Sequence, residues 1–239
     1  MAGPFTLGYT SHTFSIVARC PRTRMLGIGI ATSSIAVAAR CSHAKAGVGA
    51  IATQASTDPR LGITGIRLLE LGFSGPKVLA ELRSSDPYAA KRQLSIVDKD
   101  GRSACHTGAD NREWCGHMNG QNFAAAANMV VGELVVKAMA ERFESTADLP
   151  LEERLLLAIE AGHDAGGEAV GEHSAGLLVV DCEVFPRLDL RVDEHATAVA
   201  ELRRIFEVYR PLIDYFQERA ANPLIPSAEE KLRAQGGLR

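Results

Sequence analysis

Polar side chains that could do chemistry stand at the ends of apolar runs in this chain. Arg92 opens the run RQLSIVD, where a guanidinium can take a substrate carboxylate in a two-toothed fork. Gln54 closes the run AGVGAIATQ, and Ser33 and Ser34 close another, so antiparallel neighbours would bring these polar ends to one edge. Gly47 and Gly49 leave room for a backbone N–H to approach an oxyanion. A glycine-rich segment, AGGEAVGEHSAG, carries Glu168 and His173. Cys105, His106, Cys115, His117 and the pair Cys41 and His43 are metal ligands by type. None has the C-x₂-C spacing of a zinc ribbon, and no two histidines stand one helical turn apart, so no metal is expected. G-x-S-x-G and Walker motifs are absent, and GIGIA lies inside a strand rather than opening a helix.

These residues need elements to hold them. Phe14, Ile16 and Ala18 alternate with Ser15, Val17 and Arg19, which predicts a half-buried strand over 13–19. A second strand over 25–34 completes a hairpin, and a third, apolar throughout, covers 46–54. Helical spacing follows over 61–71 and 75–83. Asp98-Lys99-Asp100-Gly101 is a hairpin turn between strands over 92–98 and 102–107. The stretch from Gly108 to Gly120 is polar. Helices are predicted over 130–143 and 151–161, then strands over 175–181 and 188–192. A long amphipathic helix spans 196–219, with a break expected at Pro211. Hairpins joined by helix pairs predict an α+β fold: two stacked, mainly antiparallel sheets with helices outside.

Composition bounds the rest. The chain has 239 residues, 46% hydrophobic and 23% charged, with a net charge of −3. A chain of this size buries roughly 70–75% of its extended surface, so it needs no disulfide or metal staple. A near-neutral chain carries no general nucleic-acid footprint. No apolar run is long enough to span a membrane, and the start has no basic and apolar signal pattern. Five cysteines, an odd number, fit a reduced cytoplasmic protein.

Seven segments occur in order between Thr13 and about Arg210: HTFSIVARC, AGVGAIATQ, RQLSIVDKDGR, HTGADNREWCGHMNGQN, LEERLLLAIEAG, AGGEAVGEHSAGLLVV and DLRVDEH. Together they resemble the DUF1028 family, which is assigned to the N-terminal-nucleophile (Ntn) hydrolases. The resemblance implies a proteasome-like, four-layer αββα sandwich, in agreement with the element order. It divides the chain into a flexible leader over 1–12 and an Ntn-hydrolase-like domain over 13–193. A C-terminal amphipathic helix over 194–221, with its wide apolar stripe, is expected at a subunit interface. A flexible tail covers 222–239.

The same resemblance implies roles. Thr13, first residue of the first strand, is the expected nucleophile, and its freed α-amine the base. That amine has an ordinary pKa of roughly 7.7–8.0, close to the working pH. Here Thr13 follows twelve residues ending in His12, so the His12–Thr13 bond must be cut. Thr107 is expected beside the nucleophile to orient the amine, and Lys45 to lower the pKa of the nucleophile. Glu168 supplies the acid of the glycine-rich loop, while Val170 and His173 stand where the family carries Arg and Gln. The catalytic set is thus Thr13, Thr107, Lys45 and Glu168. The substrate-binding set is Ser34, Gln54, Arg92, His117 and His173. No cofactor is implied.

The expected activity is hydrolysis of an amide or related C–N bond in a small carboxylate-bearing substrate, by a homo-oligomer. One alternative is hydrolytic deamination of an enamine or imine acid in a catabolic pathway, with the leader uncut. Another is a non-catalytic ligand-binding or assembly scaffold. Fold alone does not decide among them.

Overall fold

A computed structural model describes residues 12–234. Its strands are, in chain order, β1 (Thr13–Arg19), β2 (Leu26–Thr32), β3 (Ser42–Lys45), β4 (Gly49–Ala55), β5 (Arg92–Asp98), β6 (Ser103–Thr107), β7 (Cys115–Gly120), β8 (Phe123–Asn128), β9 (Ser174–Val180) and β10 (Leu188–Val192). The α-helices are α1 (Val37–Cys41), α2 (Pro59–Glu70), α3 (Gly75–Ser85), α4 (Leu134–Ser145), α5 (Leu151–Asp164), α6 (Ala198–Tyr209), α7 (Ile213–Ala221) and α8 (Ala228–Ala234). Six strands form one sheet in the order β10-β9-β2-β1-β8-β7, and four form the other, β3-β4-β5-β6. Every pairing is antiparallel.

Side-chain alternation assigns each strand two faces. On β1, Phe14, Ile16 and Ala18 join a core with α4, α5 and α6. Val17 faces the other way, into a core shared with Ala50, Ala52 and Val97 of the small sheet. The small sheet's outer face packs Ile51, Leu94 and Ile96 against Leu69 of α2 and Val78, Leu79 and Leu82 of α3. These three cores define four layers, helix–sheet–sheet–helix, the α+β αββα sandwich expected from the sequence.

The predicted helix over 196–219 divides at Pro211. α6 ends at Tyr209, a 3₁₀ turn takes Arg210–Leu212, and α7 resumes at Ile213. Val199, Leu202 and Phe206 pack into the chain's own core, so that stripe is covered by its own sheet and α5. α8 falls within the stretch expected to be a flexible tail.

Three strands and a helix have no counterpart in the periodicity reading. β7 carries polar, half-exposed side chains. β8 holds four consecutive alanines, buried throughout between β1 and β7, so it shows no alternation. β3 and α1 are too short for either period to register. No helix of the described residues is long and apolar enough to cross a membrane. Of the expected leader, residues 1–11 lie outside the described residues.

Candidate functional site

One end of the layer between the sheets is polar. Thr13 sits across from Asn128 on one side, and β2 carries Thr32 on the other. With Ser15, Gln54, Gln93 and Ser95 they are buried polar residues in an otherwise apolar sandwich. The cost of burying them is met by hydrogen bonds. Ser15 Oγ donates to Gln54 Oε1 at 2.6 Å, and Gln54 Nε2 donates to Gln93 Oε1 at 2.6 Å. Gln93 Oε1 also accepts from Asn128 Nδ2 at 3.0 Å. Gln93 Nε2 donates to the carbonyls of Gly116 and Ala127 and to Thr107 Oγ1, at 3.1, 2.9 and 2.8 Å. Two carbonyl acceptors settle which end of the Gln93 amide is nitrogen. Thr107 Oγ1 then lies 2.8 Å from His117 Nδ1. Burial, with the nearby His106, holds the His117 imidazole below its ordinary pKa.

The reacting end is Thr13. Its hydroxyl donates to the His12 carbonyl oxygen and lies 3.2 Å from Thr32 Oγ1. The Thr32 hydroxyl donates to the same His12 carbonyl. Two hydroxyls therefore converge on the carbonyl of the peptide bond that precedes Thr13. His12 itself is held by Nδ1 to the Met129 carbonyl at 2.8 Å.

Glu168 closes this corner from the glycine-rich loop. Its Oε2 accepts from the Ser33 backbone N–H at 2.7 Å and lies 4.0 Å from His12 Nδ1. The loop is fixed in turn by Glu172, which accepts from the Glu168 N–H at 3.0 Å and pairs with His163 at 2.7 Å. Burial pushes the Glu168 carboxyl up to about 9, with the Glu172 charge adding to it. Glu168 therefore carries a proton at neutral pH, and its Oε1 has no hydrogen-bond partner among the described residues.

A cavity of about 620 Å³ opens over Thr13, Thr32 and Asn128. Ser34, Arg40 and Arg92 also line it, with Lys91 and Arg112. Arg92 is already engaged. It pairs with Asp86 at 2.8 Å, lies 3.8 Å from Asp58 and donates to the Ser56 carbonyl. Hydrogen bonds from Arg60 hold Asp58 below its ordinary pKa against burial, and burial raises Asp86, yet hydrogen bonds from Arg92 hold it below as well. Arg40 reaches Ser34 Oγ at 3.4 Å, and neither it nor Lys91 nor Arg112 has an ion pair among the described residues.

The expected site residues divide accordingly. Thr13, Ser34 and Arg92 line one cavity, and Glu168 lies behind it against His12. Gln54 belongs to the buried chain of hydrogen bonds, which runs out through half-buried Thr107 to exposed His117; none of the three lines the cavity. His173 starts the approach to β9, donating its N–H to the Thr32 carbonyl at 2.8 Å, with its ring 3.7 Å from Glu194. Lys45 is elsewhere: it ends edge strand β3 in an exposed pair with Glu70. Arg40, not Lys45, is among the cations that line the cavity. Sequence reasoning missed Arg40, Thr32 and Asn128. Thr32 could have been found, since it directly precedes the Ser33-Ser34 pair at the end of the same strand.

Comparison with known proteins follows this geometry. A family model described as a family of unknown function, DUF1028, matches residues 13–202. The chain is similar to the crystal structure of protein SPO2555 from Silicibacter pomeroyi, at 30% identity and a TM-score of 0.77. That match covers 83% of this chain and 89% of the other. A looser likeness, TM-score 0.40 at 11% identity over 90% and 98% of the two chains, is to Anbu (ancestral beta-subunit) from Yersinia bercovieri. No curated protein matches the chain.

Proposed function

The chain belongs to the DUF1028 family, and from that premise we propose that it is a hydrolase of amide or related C–N bonds that first cuts its own His12–Thr13 bond. The carrying observation is the pair of hydroxyls, Thr13 and Thr32, on the His12 carbonyl oxygen. The first is a nucleophile within reach of that peptide group, and the second is a donor where negative charge would develop. Thr13 Oγ attacks the His12 carbonyl carbon, and its proton passes to the departing amide nitrogen. Water then hydrolyses the ester, releasing a leader that ends in the His12 carboxylate. Thr13 is left with a hydroxyl and a free α-amine.

On a substrate, that amine takes the hydroxyl proton while Oγ attacks the acyl carbon. The leaving nitrogen takes the proton, and water releases the acyl group. Arg40, Lys91 and Arg112 supply positive charge for a substrate carboxylate, since Arg92 is held by its aspartates.

Intact mass and N-terminal sequencing of the purified protein test this reading without a substrate. Wild type is expected to begin at Thr13, and Thr13→Ala to retain the leader. A wild-type chain that keeps its leader overturns it and favours a site that works without an α-amine.

A further inference from the structure

The far end of β1 opens on a second cavity, of about 380 Å³. Six strand steps separate it from Thr13, or roughly 20 Å. Arg19, Arg22 and Arg154 line it. Arg19 ends β1, Arg22 lies in the turn toward β2, and Arg154 projects from α5. Among the described residues none of the three has a carboxylate within 4.0 Å, whereas Arg92, Arg102, Arg187 and Arg203 each have one.

Arg154 is only 5% exposed. Its Nη2 donates to the Phe143 carbonyl at 2.9 Å, and its guanidinium lies 3.8 Å from the Phe143 ring centroid. Its Nε has no hydrogen-bond partner among the described residues. Arg19 gives Nη1 to Asn122 Oδ1 at 3.2 Å, and its buried Nε likewise has no hydrogen-bond partner among the described residues. Arg22 Nη2 serves the carbonyls of Asp148 and Leu149 at 2.8 and 3.1 Å. All these acceptors are formally neutral. Glu144 and Asp148 line the same cavity, yet neither pairs with an arginine among the described residues. Burial, with the Arg22 charge adding to it, weakens the hold of Arg154 on its proton, and negative charge on Cys20 opposes this. A buried cation without a paired carboxylate is costly, and Arg154 shares the wall of this cavity with two more cations.

We propose that this cavity is a binding site for a phosphate dianion, free or carried as a monoester. One guanidinium fork satisfies a planar carboxylate, whereas three guanidinium groups from a strand end, a turn and a helix suit a tetrahedral oxyanion. The cavity exceeds a free phosphate, which leaves room for an organic group.

Titration calorimetry of the full chain at constant ionic strength tests the site, using inorganic phosphate and glycerol phosphate against a chloride baseline. Binding is expected, weakened at least tenfold in Arg22→Gln, an exposed position whose loss leaves the core intact. Arg154→Leu is expected to abolish it. Arg40→Gln, in the Thr13 cavity, is expected to bind as wild type. Tighter binding of the ester identifies an esterified ligand, and equal binding identifies free phosphate. No heat from either ligand overturns the site, as does unchanged binding in Arg22→Gln or loss of binding in Arg40→Gln.

Discussion

Thr32 and Glu168 are the residues whose removal should speak most directly. The Thr32 hydroxyl donates to the His12 carbonyl, so Thr32→Val removes a donor while keeping the shape of the side chain. Leader cleavage is expected to slow by about 10²-fold, the usual effect of one lost oxyanion donor, in a mass-spectrometric time course. Glu168 predicts a pH effect. Its folded pKa, about 9, lies above the unfolded value, so folding takes up a proton. That contribution is full below the ordinary carboxylate range and is lost as pH climbs toward 9. Glu168→Gln should therefore flatten the fall of melting temperature between about pH 5 and 9. An equal slope in both proteins would refute a protonated Glu168. At this scale the sequence was partly readable. Thr13, Ser34 and Arg92 reach one cavity because each stands at a strand end, and strand ends show in the pattern. Lys45 also ends a strand, but β3 is an edge strand that turns its end to Glu70. Arg40 and Asn128 lie on elements whose periods are too short or too uniform to read.

Elements are set by what they must pack against. β2 carries Gly27 and Gly29 under α5. A Cβ on Gly27 would stand 2.6 Å from Leu155 Cδ1 and 2.8 Å from the Leu178 carbonyl oxygen. One on Gly29 would meet Ile159 Cγ1 at 2.8 Å. The helix therefore lies close because these positions have no side chain. Gly27→Ala is expected to cost about 1–3 kcal/mol in urea unfolding, since a backbone oxygen cannot move aside as a side chain can. The alternate spacing of Gly27 and Gly29 stands in the sequence, but its reason, a helix resting on that face, does not. β8 teaches the converse. An alanine run favours a helix in isolation, yet FAAAAN is a strand because β1 and β7 supply partners on both edges.

Over the whole molecule, the C-terminal helices are fastened to the body by charge as well as by the apolar stripe. Arg203 of α6 reaches Glu160 at 2.6 Å and Glu153 at 2.7 Å, both on α5, and Glu207 on its own helix. Arg203→Ala leaves three carboxylates together and is expected to lower stability by about 1–2 kcal/mol, less at high salt. The layered architecture was visible in the sequence because hairpins and helix pairs alternate along the chain. The use of the α6 stripe was not, since an apolar face looks the same whether it meets its own sheet or another subunit. The corner around His12 has a consequence of its own. Thr32 approaches it from β2, and Glu168 reaches it across 135 positions of sequence through Ser33. Thr32 does not meet the His12 carbonyl, nor Glu168 stand beside the His12 ring, until both sheet and loop are in place. On the proposed chemistry, maturation is then a receipt for folding: a misassembled copy keeps its leader, and the ratio of long to short chains counts the molecules that reached the native state.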